Sequence, residues 1–200
     1  MTPTSRSRTR APRIAPPRRM AATDALFWYA EQALPEIRPI IAGLYVLARP
    51  PDASVARATL ETALACVPRL RQRVVEAPGQ LGLPEWLDDP HLDLDYHLRH
   101  VSLPPPGSRR ALLDLAAALF ATPLDRQRPL WEATWIDGLE GGRSACLFKL
   151  HHAVVDGVGS LAILDALTAP PGRRPRRPRR PSRRAPPVPG VLERAAALVG

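Results

Sequence analysis

No apolar run in the sequence approaches the roughly 18 residues that a membrane-crossing helix needs. Cysteine is scarce: Cys66 and Cys146 are the only two, and they form no CxxC pair. A disulfide framework is therefore excluded, and a reducing, cytoplasmic setting is expected. No HExxH and no cysteine cluster is present, so no metal site is expected. There is also no G-x-S-x-G elbow, which removes the common serine-hydrolase arrangement. The N-terminus has no apolar core of the kind a secretory signal carries. Its acid-free, Arg/Ser/Thr-rich make-up has the look of an organelle transit peptide but lacks an amphipathic period. Lysine is almost missing, since Lys149 is the one lysine among 28 basic residues.

What is present is a 200-residue chain, 45% hydrophobic and 24% charged, long enough to bury one core. Proline is high, at 25 residues, and the formal net charge is +9. Position matters more than the sum. Residues 1–20 carry six Arg and no acid, and residues 173–184 carry eight Arg and no acid. Removing those fourteen positives from +9 leaves −5 for the rest of the chain. A nucleic-acid-binding fold would carry its positive stripe on folded elements, so nucleic acid is not an expected partner. Arg-Pro flanks of this kind are ordinarily solvated linkers. Their sharper reading is attraction to an anionic membrane or lipid-body surface.

The pattern divides into a basic, disordered extension over 1–19, a folded unit over 20–170, and an Arg/Pro-rich segment with the start of another helix over 171–200. Met20, just before the apolar density begins, is a candidate start. Ile40–Leu47 is a continuous apolar run between Pro39 and Pro50 and predicts a buried strand. Asp52 or Ser54 caps a helix to about Val67, with Ala56, Leu60, Leu64 and Val67 on its apolar face. Leu92, Leu94, Tyr96 and Leu98 alternate with polar residues and predict a half-exposed strand. Ser108 opens a helix with Leu112, Leu115, Leu119 and Phe120 on one face. Trp131–Ile136 and Ser144–Leu150 predict a hairpin across the glycine-rich segment between them, and a last helix is expected over 159–167. Strands and helices in mixed order point to α/β or α+β architecture with a mixed sheet. Trp28, Trp86, Trp131 and Trp135 are expected in the core or an interface. Trp28 with Phe27 and Tyr29 is also a candidate lipid contact. His91, His97 and His100 are expected on solvated surface.

The chemistry concentrates at residues 147–157, Leu-Phe-Lys-Leu-His151-His152-Ala-Val-Val-Asp156-Gly157. An apolar strand delivers two adjacent histidines to its end, where a turn follows. Neutral imidazole titrates near physiological pH and can accept a proton from a hydroxyl. Asp156 is placed to brace the turn, and Gly157 lets the chain fold back. A base without a neighbouring nucleophile points to direct transfer, with a substrate hydroxyl activated in place. Two adjacent histidines alone are more often a structural pair, so the flanking sequence decides the reading.

HHxxxDG at 151–157 resembles the active-site motif of CoA-dependent acyltransferases of the chloramphenicol-acetyltransferase-like fold, shared with peptide-synthetase condensation domains. Its four set positions arise by chance on the order of once in a few thousand chains of this length. Pro123-Leu124-Asp125-Arg126-Gln127-Arg128-Pro129-Leu130-Trp131-Glu132 resembles the PLW region of the bacterial wax ester synthase/diacylglycerol acyltransferase family, and Thr23-Asp24-Ala25-Leu26-Phe27 resembles its opening. The resemblance covers roughly residues 20–170. It implies that His152 is the general base that deprotonates the acceptor alcohol, with His151 in support. Asp156 is then a structural partner, Gly157 the motif glycine, and Pro129, Leu130 and Trp131 a segment tied to folding or acyl-chain accommodation. It also implies acyl-CoA as a substrate rather than a cofactor, with diacylglycerol or a long-chain alcohol as acceptor. Neither a metal nor a redox group is implied.

Members of that family are about twice as long and place the channel between two lobes, so the resemblance implies a first lobe whose C-terminal partner lobe is missing. A non-catalytic remnant that binds a membrane or a partner through its basic tails is the alternative from another class. An amide-forming condensation domain is disfavoured by the PLW flank.

Overall fold

A computed structural model describes residues 18–34, 36–77, 79, 82–155 and 163. Helix α1 (Ala22–Ala33) is followed by strand β1 (Ile40–Leu47) and helix α2 (Ala53–Cys66). A short 3-10 turn over Pro68–Arg71 leads into β2 (Gln72–Val75) and β3 (Glu85–Asp88), which form a separate two-stranded sheet. Then come α3 (Leu94–His97), β4 (Leu98–Ser102), α4 (Arg109–Ala121), β5 (Trp131–Leu139) and β6 (Arg143–His151). The main sheet has the order β1-β6-β5-β4. Its β1/β6 and β6/β5 pairs are antiparallel, while β5/β4 is parallel. The expected mixed sheet and the β5/β6 hairpin are therefore both present.

Period-two alternation divides the core between the sheet's two faces. Trp131, Ala133, Phe148 and Leu150 join a cluster with Trp28 of α1, Leu60 and Leu64 of α2, and Trp86 of β3. On the opposite face Ile136, Ala145 and Leu147 pack with Leu112 and Ala116 of α4. Helix α4 begins where the sequence indicates, with the Ser108 hydroxyl accepting from the Ala111 N–H at 3.2 Å. Its C-terminal carbonyls are capped by the chain's one lysine. Lys149, only 2% exposed, donates to the Leu119 and Thr122 carbonyls and pairs with Glu132 at 2.9 Å. Glu132 in turn receives Arg99 at 3.1 Å, so the buried ammonium is neutralised within the sheet.

Several expectations are corrected. The alternating stretch 92–98 is not one strand. Asp93 accepts from the Asp95 N–H at 2.9 Å and turns the chain into α3, so that Leu94 and His97, three residues apart, are both buried. Strand pairing begins only at Leu98. His97 is consequently a core residue at 1% exposure, not a surface one. Its Nδ1–H donates to the Trp131 carbonyl at 2.7 Å, and its ring stacks on the Trp131 indole with centroids 4.5 Å apart. His91 and His100 are exposed as expected.

Strand β1 has the expected bounds but lies at the sheet edge, where it is half-buried rather than enclosed. An apolar run records affinity for a core without recording how many neighbours the strand acquires. Phe120 is exposed, outside the α4 stripe that Leu112 and Ala116 bury. Arg18 and Arg19, placed in the disordered extension, lie along β3: Arg18 ion-pairs with Glu85 at 2.9 Å, and the Trp86 N–H donates to the Arg18 carbonyl. Trp28, Trp86 and Trp131 are buried and Trp135 is half-buried, so Trp28 is core rather than a lipid contact. The helix expected over 159–167 lies outside the described residues except for Ile163, which is helical and buried. The segments 1–17 and 164–200 lie outside them as well.

Both cysteines are free thiols, Cys66 exposed and Cys146 buried. Burial pushes the Cys146 thiol up to about 12. Among the described residues no helix is long and apolar enough to cross a membrane.

Trp131 ties the 3-10 turn that precedes β2 to the main sheet, since its Nε1–H donates to the Leu70 carbonyl at 2.8 Å in a buried setting. Trp131→Phe leaves that carbonyl unpaired and should lower unfolding free energy by about 1–3 kcal/mol. Urea denaturation measures this, and an unchanged midpoint would show that the bond contributes nothing.

Candidate active site

Strand β6 is interior to the sheet, so successive backbone N–H groups at its end find partners on opposite sides. The His151 N–H donates to the Leu130 carbonyl at 3.0 Å, towards β5. The His152 N–H donates to the Pro39 carbonyl at 2.7 Å, next to β1. The histidine pair is thereby pinned from both flanks before either side chain is considered. Beyond it the chain enters a 3-10 turn over His152–Val154.

The two imidazoles sit in different surroundings. His151 is 1% exposed, and its Nδ1 accepts the Ala153 N–H at 3.0 Å. The ring proton of the neutral form therefore sits on Nε2. Nε2 lies 3.5 Å from Glu31 Oε2 on α1, longer than a good hydrogen bond, and has no closer partner among the described residues. Burial, then the nearby Arg126 charge, then His152 push His151 down to about 4. It is neutral at physiological pH, so its approach to Glu31 is not an ion pair.

His152 is half-buried, with its ring centroid 4.2 Å from that of Phe27 on α1. Its Nδ1 is buried and has no hydrogen-bond partner among the described residues. With Nδ1 buried, Nε2 is the nitrogen left to exchange a proton with a bound hydroxyl.

The residues singled out from the PLW segment are brought to this place, each with a distinct part. Pro129 and Leu130 are fully buried; the Leu130 carbonyl holds the His151 amide, and the Pro129 carbonyl accepts the Trp131 N–H at 2.9 Å. Trp131 is turned into the core between His97 and Phe148. Asp156 and Gly157 lie outside the described residues. Among the described residues no three His, Cys, Asp or Glu side chains gather as a metal site.

Sequence reasoning missed a charged cluster behind His151. Arg126 Nη1 meets Glu31 Oε2 at 2.5 Å, and Arg126 Nη2 donates to the Trp28 carbonyl at 3.2 Å. The guanidinium lies over the Trp28 ring, 3.5 Å from its centroid. The Trp28 Nε1–H donates to Glu76 Oε1 at 2.7 Å, and Gln32 donates to the same oxygen. The signal available in the sequence was an acid on a buried stripe: Ala25, Trp28 and Glu31 recur at intervals of three, so Glu31 needs a buried partner.

A buried histidine with a depressed titration point makes stability depend on pH. In the window between about 4 and 6.5 the unfolded chain binds a proton that folded His151 refuses, so stability is full above 6.5 and is lost as the pH falls towards 4. His97, also lowered by burial, acts in the same direction. The His151 contribution alone is about 3 kcal/mol. Thermal melts from pH 7 to 4 should show a falling midpoint, with a shallower fall in His151→Gln. Parallel slopes in the two proteins would refute the assignment.

Comparison with known proteins places this geometry. Residues 20–199 match the sequence model of the wax ester synthase/diacylglycerol acyltransferase catalytic domain. A probable diacylglycerol O-acyltransferase of Mycobacterium tuberculosis, tgs3, is 42% identical over 149 residues, covering 72% of this chain and 54% of the relative. A second from that species, tgs1, is 38% identical over 150 residues, covering 74% of this chain and 32% of the relative. The chain thus spans about half or less of the length of these relatives. The structure of the wax ester synthase/diacylglycerol acyltransferase from Marinobacter aquaeolei VT8 superposes with a TM-score of 0.60 at 33% identity, over 74% of this chain and 37% of that one. A mutant starter condensation domain of rhizomide synthetase in complex with C8-CoA shares the fold at a TM-score of 0.61 and 19% identity, over 74% of this chain and 33% of that one. Sheet order, the histidine-bearing strand end and the matched residues lead to one assignment: the chain belongs to the wax ester synthase/diacylglycerol acyltransferase family.

Proposed function

We propose that this chain is the histidine-bearing lobe of an acyl-CoA:alcohol O-acyltransferase that transfers a fatty acyl group from CoA to diacylglycerol or a long-chain alcohol. The observation that carries the reading is the division of labour at the end of β6. His151 is buried and neutral, its Nδ1 committed to the Ala153 N–H, while its neighbour His152 is half-buried and turns only Nδ1 inward. His152 accepts the proton of the acceptor hydroxyl as that oxygen attacks the thioester carbonyl. The carbon–sulfur bond breaks, and the CoA thiolate leaves with the proton that His152 returns. Ester and free CoA are the products. The reaction needs no metal or redox group, and acyl-CoA enters as a substrate. Asp156 and Gly157, the remaining motif residues, serve a supporting rather than a catalytic role, and a second lobe closes the channel.

In an active form of the enzyme His152→Ala should lower kcat by about 10²–10⁴ while the protein stays folded. Transfer of labelled acyl groups from acyl-CoA to diacylglycerol and to hexadecanol measures it. Near-normal turnover in the variant would remove His152 from the role of base.

Both acceptors partition into lipid, so the reaction is proposed to run at a membrane or lipid-body surface. The Arg-rich segments 1–19 and 173–184 supply attraction of up to about 1 kcal/mol per residue near anionic headgroups. Co-sedimentation with phosphatidylglycerol vesicles should weaken steeply as salt rises, and should weaken again when both segments are deleted. Equal association of the deleted chain would count against the attachment.

A further inference from the structure

The Arg126–Glu31 pair stands behind His151. Its geometry raises a question of charge. Glu31 is a largely buried carboxylate with one oxygen 3.5 Å from His151 Nε2, and the same oxygen receives Arg126 at 2.5 Å. Two groups thus compete for one oxygen, a permanent cation and an imidazole that becomes a cation only by taking a proton.

The consequence of removing the permanent cation follows from proton placement. His151 already carries its proton on Nε2, because Nδ1 accepts the Ala153 N–H. A second proton can go only to Nδ1. It would then face the Ala153 N–H donor to donor, and the bond that holds the 3-10 turn would be lost. A buried carboxylate deprived of its partner strongly favours a neighbouring group in its charged form. Without Arg126, Glu31 would draw that second proton onto His151 and undo the turn that presents His152.

We propose that Arg126 is a positioning residue: by holding the Glu31 carboxylate it keeps His151 in the neutral form whose Nδ1 anchors the His152 turn. Among the described residues, the groups that face this histidine are Glu31 and the Trp28 ring from α1, Arg126 from the segment before β5, and the adjacent His152. Glu76, after β2, reaches Arg126 at 3.9 Å and reinforces its seat. The cation–π contact with Trp28 and the bond to the Trp28 carbonyl set the guanidinium in one orientation, which lysine would not reproduce. The inference deepens the acyltransferase reading by explaining how the candidate base is held, and it rests on that reading only for its effect on turnover.

The test is a histidine NMR titration of this chain, with the His151 ring signal assigned by its loss in His151→Gln. Arg126→Met should raise the His151 midpoint by about one unit or more. Glu31→Gln, which keeps a neutral acceptor and leaves the guanidinium with only the more distant Glu76 carboxylate, should move it the opposite way. Arg126→Lys should keep the midpoint low, because the charge remains. The double variant Glu31→Gln/Arg126→Met should return it towards the parent value, since the carboxylate 3.5 Å from His151 Nε2 is gone. A purely packing role for Arg126 predicts no reversal in the double variant. Midpoints that move in one direction for both single variants, or do not move at all, overturn the proposal. Should Arg126→Met unfold, Arg126→Gln, which removes the charge and keeps a hydrogen-bonding head, must raise the midpoint in its place, and an unchanged midpoint there overturns the proposal. In an active enzyme Arg126→Met should lower kcat more than it alters KM and move the acid limb of the rate profile to higher pH. Absence of acyl transfer in every variant, with the titration shifts as expected, would count against the acyltransferase reading and support the clamp.

Discussion

Two consecutive backbone hydrogen bonds govern the rest of this lobe: His151 N–H to the Leu130 carbonyl, and His152 N–H to the Pro39 carbonyl. They exist because β6 lies inside the sheet, with β5 on one side and β1 on the other. A strand at an edge could not fill both directions. Pinned in this way, two identical side chains are sent to different places, one into the interior behind α1 and one against Phe27. The chemical distinction between them is therefore a product of the sheet, since the residues themselves are the same. It also explains why an apolar strand must lead up to the pair. Cys146 to Leu150 are all buried, and that burial keeps the strand end from fraying where position matters most.

Electrostatics inside the lobe run on a small number of enclosed charges. Lys149 neutralises Glu132 and caps α4 on one side of the sheet, and Arg126 neutralises Glu31 behind the histidines. Each cation has a carboxylate partner and at least one backbone carbonyl, the condition under which a buried ion is tolerated. The chain's net charge of +9 says little about this chemistry. Fourteen of its positives lie in the two Arg-rich flanks, and the charges that shape the site are individual, paired and few.

Much of the fold was legible from local signals. The Ser108 cap, the β5/β6 hairpin and the bounds of β1 all follow from patterns that a few neighbouring residues carry. What was not legible depended on distant partners. His97 looks like a surface histidine until a carbonyl 34 residues away accepts its hydrogen bond. The strand expected at 92–98 failed because spacing by two and spacing by three overlap in so short a stretch, and Asp93 settled the choice by bonding Asp95. The enclosed or exposed status of β1 was invisible because sheet order is a tertiary property. At the site, the histidine pair was evident from its motif. The pairing of Glu31 with Arg126 was not, since 95 residues separate them and neither the α1 stripe nor the PLW segment names the other as its partner.

The segment 123–132 shows why a motif can matter without touching the chemistry. Its residues divide by direction. Asp125 accepts the Gln127 N–H at 2.8 Å and the Tyr96 hydroxyl at 3.2 Å, which sets the bend. Arg126 then points inward to Glu31, whereas Arg128, two residues on, points outward and donates to the His91 carbonyl at 3.0 Å. Leu130 supplies its carbonyl to His151, and Trp131 enters the core. One short loop thus delivers a charge, a backbone acceptor and a core side chain to three points around the same strand end. Moving it by a single residue would misplace all three at once. That shared dependence, more than any one contact, ties the PLW segment to the histidine pair.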